Sequence, residues 1–123
     1  CNVLVQQSGI QPTLSEFDTK MMAWGPLGGQ GADGVTNNPL LTEIGKRYGK
    51  TAAQVALRWL TQRGIVAIPK STHVERMRQN LDVFDFTLTD EEMTHIATLN
   101  QQDVGTVSFG DPQFVKYLIG TYG

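Results

Sequence analysis

The residues best suited to chemistry lie in one run, Ile68-Pro69-Lys70-Ser71-Thr72-His73-Val74-Glu75-Arg76-Met77-Arg78-Gln79-Asn80. A β-branched stretch ends there in a lysine and a serine, and a helix pattern begins at once. A helix start offers backbone N–H groups with no intrahelical acceptor and the positive end of the helix dipole, a natural seat for phosphate. Lys70 adds a mobile positive charge there, and Ser71 a small hydroxyl donor. Arg76 and Asn80 stand four apart and share one helix face. Arg76 can clamp a phosphate bidentately or stack on an adenine ring, and Asn80 can hydrogen-bond a base edge. By itself the same run also reads as an ordinary capped helix with solvated charges.

Other residue types carry less. Trp24 can be a core residue or an aromatic platform, and the five glycines of residues 25–34 read as a loop. Trp59, on an apolar helix face, reads as core, and His95 as a solvated surface residue. Asp82 and Asp85 read as helix caps or strand-end charges. The single cysteine, Cys1, excludes an internal disulfide and a thiolate metal cluster, has no nucleophile pattern around it, and fits a reducing cytoplasm. A chain beginning with Cys rather than Met reads as a processed product, a piece of something longer, or a lipidated N-terminus. Net charge is −2 with basic residues scattered, which favours neither nucleic acid nor an acidic membrane surface. No apolar run approaches the roughly 20 residues of a bilayer span. No metal site is expected.

The elements that must position the run follow from local punctuation. Met21–Trp24 is a short apolar stretch halted by Gly25-Pro26, as a buried strand would be. Asn38 is an N-cap, Pro39 suits the first helical position, and Leu40, Leu41, Ile44 and Tyr48 repeat at helical spacing until Gly49. Thr51–Gln54 is a capping box whose helix aligns Ala52, Val55, Ala56, Trp59 and Leu60, with Gly64 as its stop. Ile65–Ile68 reads as a strand covered on both faces. Capping boxes at Thr72–Glu75 and Thr89–Glu92 open two further helices, the second with a stripe of Met93, Ile96 and Ala97. Phe114, Val115, Tyr117, Leu118 and Ile119 suggest a short helix or a tail laid over a surface. Strand, helix, strand, helix defines an α/β class with parallel strands. Two strands leave both sheet edges open, so the chain reads as part of a larger sheet and is expected to self-associate or to pair with a missing half.

Three stretches together resemble the aldo-keto reductase family. Ile68-Pro69-Lys70-Ser71, Glu75-Arg76, Asn80-Leu81, Val83-Phe84-Asp85-Phe86 and Leu88-Thr89 are similar to that family's NADP-site signature. Ala53-Gln54-Val55-Ala56-Leu57-Arg58-Trp59 resembles its penultimate helix, and Ala23-Trp24-Gly25-Pro26-Leu27-Gly28 its seventh strand and following loop. The resemblance implies the C-terminal portion of a (β/α)8 TIM barrel, with NADP(H) at the C-terminal ends of the strands and a small carbonyl substrate in the full protein. It implies that Trp24 stacks on the nicotinamide and that the loop from Leu27 to Gln30 folds over the pyrophosphate, with Gly25, Pro26 and Gly28 counted beside it. Lys70, Ser71 and Thr72 would contact the 2′-phosphate region, with Arg76 there or against the adenine, and Gln79 and Asn80 would touch the adenine. His73 stands where some relatives carry a second arginine, which weakens the preference for NADP over NAD. The match runs from about Met21 to Leu99, between a lead-in of residues 1–20 that departs from the family and a tail of residues 100–123. A whole barrel needs roughly 250 residues, and the family's catalytic Asp, Tyr, Lys and His match no position here. Three functions stay open: the cofactor-gripping part of a carbonyl reductase, a non-catalytic relative serving as a regulatory or interaction subunit, and an inactive truncated chain.

Overall fold

The computed structural model describes residues 1–29, 33–101 and 120. In chain order these form α1 (Gln11–Glu16), β1 (Met22–Ala23), α2 (Asp33–Thr36), α3 (Pro39–Tyr48), α4 (Ala52–Gln62), β2 (Val66–Ala67), α5 (Val74–Leu81) and α6 (Asp90–Ala97). The fold is α/β. Its two strands run parallel, Met22 opposite Val66 and Ala23 opposite Ala67. The Val66 N–H donates to the Met21 carbonyl at 3.0 Å, and the Ile68 N–H to that of Ala23 at 2.9 Å. No helix among the described residues is long and apolar enough to cross a membrane.

The helices follow their local signals. Asn38 caps α3 through its side-chain oxygen, which accepts from the Leu40 and Leu41 N–H groups, and left-handed Gly49 (φ 63°) ends it. Gly45 lies buried in α3, where an added Cβ would strike the Lys50 carbonyl oxygen. Thr51 and Gln54 form a capping box at α4, as Thr89 and Glu92 do at α6. At α5 the expectation is corrected. Its N-cap is His73, not Thr72, and no side chain caps it. The Ser71 hydroxyl takes up the His73 N–H at 3.1 Å, which closes the turn one residue later than a Thr72 box would. Part of the expected glycine loop is helical too, since α2 begins at Asp33.

The core is built on α4, whose Ala52, Val55, Ala56, Leu57, Trp59 and Leu60 are buried against Leu41 and Ile44 of α3, Ala23 of β1, Ile65, and Ile96 of α6. Trp59 is core, as its position on the apolar face implies, and its indole N–H donates to the Met93 carbonyl. Within α6 the stripe differs from the expected one. Ala97 is exposed and Glu92 buried. The Glu92 carboxylate accepts from the Tyr48 hydroxyl at 2.6 Å and from Arg47 at 3.2 Å, which makes its burial tolerable.

Residues 1–20 do more than lead in. Val3 is fully buried, and the Gln6 amide, also buried, donates to the Val3 carbonyl and to the Ile96 carbonyl at the end of α6. Asn100 and Gln101 bond back to Gln6 and Leu4. This segment closes the core from below α4, with Arg63 stacked on Trp59 at 4.1 Å and donating to the Gln6 carbonyl. The expectation that Ile65–Ile68 is covered on both faces fails. Ile65 is buried, but Val66 and Ile68 are each 46% exposed and Met22 is 59% exposed, because the described helices pack on one face of the sheet only. The helix or tail expected at Phe114–Ile119 lies outside the described residues.

Candidate functional site

At the C-terminal ends of both strands a cavity of about 750 Å³ opens. The turn after β1 supplies Trp24, Gly25, Pro26, Leu27 and Gly29, and α2 supplies Thr36. Thr51 and Ala53 come from the start of α4. The segment after β2 contributes Pro69, Lys70, Ser71, Thr72 and His73, and α5 contributes Arg76, Gln79 and Asn80. Strand ends aimed at one place explain the convergence: two parallel strands deliver their following loops to the same side of the sheet.

Of the eleven residues that the sequence singles out, ten line this cavity; Gly28 does not. Gly28 shapes the wall instead, with φ 89° and an N–H that donates to the Gly25 carbonyl at 3.0 Å. That conformation suits glycine because a Cβ would crowd the backbone. Gln30, at the end of the expected loop, lies outside the described residues. Gly29, which falls in the loop expected over the pyrophosphate, and Pro69 and His73 of the family-like run also line the cavity, as do Thr36, Thr51 and Ala53, which carried no chemical signal in the sequence. Thr51 was legible only as a cap, and Ala53 only as a small residue in a helix start.

The electrostatics of the lining are one-sided. Lys70 and Arg76 supply the positive charge, and no carboxylate among the described residues lines the cavity. Neither has an ion-pair partner among the described residues. The nearest acid on the same helix, Glu75, faces Arg78 at 3.8 Å. Without a side-chain cap, the first N–H groups of α5 have no side-chain acceptor. Trp24 is 70% exposed at the mouth, so its core reading is ruled out for this chain. Such a surface suits a ligand with an aromatic ring and at least one anionic group.

Behind the lining, charge is tightly matched. Lys50, its side chain 8% exposed, lies 2.8 Å from both Asp82 and Asp85 and over the Phe86 ring. The hydrogen bonds to Asp82 and Asp85 hold the Lys50 ammonium above its ordinary pKa, and Lys50 holds the Asp85 carboxyl below the usual range. Burial pushes the Glu92 carboxyl up, but the Tyr48 hydroxyl, the Thr89 N–H and Arg47 outweigh it, and the net shift is downward. Tyr48 is raised in turn, first by that hydrogen bond to Glu92.

Fold and cavity define an α/β protein with a cationic, aromatic-edged cleft at the strand C-termini. The sequence model of the Aldo/keto reductase family matches residues 1–101, and the chain belongs to that family. The match begins at residue 1, so the opening segment that read as departing from the family lies inside it. Among similar proteins, the 9,11-endoperoxide prostaglandin H2 reductase of Trypanosoma cruzi (strain CL Brener) is 43% identical over 98 residues, 80% of this chain and 35% of that protein. Morphine 6-dehydrogenase of Pseudomonas putida is 44% identical over 103 residues, 76% of this chain and 34% of that one. The crystal structure of MGS-M4, an aldo-keto reductase enzyme from a Medee basin deep-sea metagenome library, superposes with a TM-score of 0.84 at 35% identity, covering 89% of this chain and 40% of that one. A Gox0644 mutant in complex with NADPH superposes with a TM-score of 0.79 at 30% identity, covering 86% and 38%. The chain thus spans about a third of the length of the curated relatives it matches.

Proposed function

We propose that this chain is the C-terminal, cofactor-gripping part of an NADP(H)-dependent aldo-keto reductase, a portion of one (β/α)8 barrel, and that the whole protein reduces aldehydes or ketones to alcohols. The observation that carries the reading is the pair Lys70 and Arg76, both without an acidic partner among the described residues, on the wall of one cavity. Its volume of about 750 Å³ falls within the roughly 300–1,000 Å³ of cofactor pockets. A similar structure that holds NADPH supports the choice of nucleotide.

NADPH supplies the hydride when bound, and this chain's residues bind and orient it. The Trp24 ring covers one face of the nicotinamide and leaves the other open to substrate. Gly25, Pro26, Leu27 and Gly28 bring backbone close to the pyrophosphate. Lys70, Ser71 and Thr72 meet the 2′-phosphate, aided by the free N–H groups at the start of α5, and Arg76 clamps it or lies on the adenine. Gln79 and Asn80 face the adenine edge. The acid that protonates the carbonyl oxygen is assigned to no residue of this chain, so the chain alone is expected to reduce nothing.

Titration with NADPH and NADH, followed by tryptophan fluorescence, tests the reading. Lys70→Met and Arg76→Ala should each weaken NADPH by about 1–3 kcal/mol and NADH much less. Equal losses for both nucleotides, or no binding of either by the unaltered chain, would sink it. The exposed sheet face of Met22, Val66 and Ile68 is further expected to be covered by a second copy or by the rest of the barrel. Light scattering across a concentration series should show mass rising above 13.5 kDa; a fixed monomer with sharp unfolding would refute self-association.

A further inference from the structure

We infer that Gln54 is a positioning residue for the cavity, because its one side chain caps the start of α4 and the end of α5, and both helix ends form the wall. The inference rests on the nucleotide reading above. Helix α5 buries none of its own side chains, so apolar packing does not fix its direction. Its last turn ends in carbonyls that have no intrahelical donor. The Gln54 amide donates to the Asp82 carbonyl at 2.9 Å and to the Gln79 carbonyl at 3.1 Å, which otherwise holds only the Asp82 N–H at 3.2 Å. Its oxygen accepts the Thr51 N–H at 3.0 Å, while the Gln54 N–H donates to the Thr51 hydroxyl at 3.2 Å.

Gln54 itself is 4% exposed and does not line the cavity, so it acts through its neighbours. On one side of it stands Thr51, on the other Gln79 and Asn80. Arg76 lies one turn before Gln79, so a swing of the α5 end carries Arg76 and Asn80 together. Lys50 is a second tie, bonding the Asp82 carbonyl at 3.2 Å as well as the Asp82 carboxylate.

Replacing Gln54 by Glu separates the two caps. Glutamate is an ordinary partner in a capping box, so the start of α4 stays closed. At α5, an oxygen then faces two carbonyls and lies near the Asp82 carboxylate, which the present amide meets at 3.4 Å.

The experiment measures adenosine 2′,5′-bisphosphate binding to the 123-residue chain by calorimetry, at a temperature where circular dichroism shows every variant folded. Gln54→Glu should bind about tenfold more weakly at pH 7, the equivalent of about 1.4 kcal/mol. Glu92→Gln loosens α6 on α3, away from the cavity, and should change affinity by less than about twofold. On lowering the pH to about 5, the ratio of wild-type to Gln54→Glu affinity should fall toward one. A protonated glutamate regains an O–H donor for the α5 carbonyls, and burial beside Asp82 favours that form. Unchanged affinity in Gln54→Glu, equal weakening in Glu92→Gln, or a ratio flat with pH would each overturn the inference while leaving the nucleotide reading in place. A wild-type chain that binds no bisphosphate would overturn both. If Gln54→Glu does not fold, Lys50→Met must show a loss of about threefold or more for the inference to stand.

Discussion

The two tryptophans divide the molecule. Trp59 sits in a region where most charges are matched: Glu92 has Tyr48 and Arg47, and Lys50 has Asp82 and Asp85. Arg63 stacks on the indole and bonds the Gln6 carbonyl through Nη2, but its buried Nη1 has no partner among the described residues. Trp24 sits at the edge of a region where Lys70 and Arg76 have no acidic partner among the described residues and α5 buries nothing. Apart from the Arg63 Nη1, the first region satisfies its polar groups from within the chain. The second leaves its charges open on a cavity wall. That contrast, more than any single residue, separates charge used inside the chain from charge that the proposed function assigns to a ligand.

The sharpest way to break the comparison is to truncate each tryptophan. Trp59→Ala removes a side chain 2% exposed and should cost about 3–5 kcal/mol in urea unfolding. Trp24→Ala removes one 70% exposed, should cost under about 0.5 kcal/mol, and should abolish most of the fluorescence response to NADPH. Similar stability losses for both would erase the division.

Next in size is Glu92. Its folded pKa lies below the unfolded value, so the unfolded chain binds more protons as the solution is acidified, and stability falls. The contribution is complete above about pH 4.3, the ordinary glutamate value, and is lost as pH drops through the folded pKa. Glu92→Gln should cost about 1–3 kcal/mol at pH 7 and progressively less than that below pH 4, measured by denaturant midpoints. A penalty independent of pH would mean that Glu92 matters by shape and not by charge.

A smaller effect than that of Glu92 is expected at Gly49, whose φ of 63° an L-residue adopts with strain. Gly49→Ala should cost about 1 kcal/mol by thermal unfolding and leave NADPH affinity alone. A loss of affinity would show that strain at Gly49 passes to Thr51, the residue of this turn on the cavity wall, and that the two regions are not separate.

Much of the framework was legible in advance because its signals are local. Asn38, Gly49, Thr51 with Gln54, and Thr89 with Glu92 each act through hydrogen bonds spanning a few residues, which sequence spacing states directly. The run from Lys70 to Asn80 was readable as the start of a helix for the same reason, although its cap fell at His73 once the Ser71 hydroxyl took the turn.

Long-range contacts decided the rest. Trp59 was legible as core from its apolar helix face, but whether Trp24 is core or platform depended on what packs across it. Gln6 became core because the Ile96 carbonyl, 90 residues away, needs a donor there. Glu92 went inside because Tyr48 and Arg47 meet it from α3, and Ala97 turned outward on the same helix. Sequence alone determined both ends of α3 and the starts of α4 and α6, since those hydrogen bonds close within a turn. Burial and the gathering of a cavity were left to tertiary structure, because both require groups brought together from distant parts of the chain.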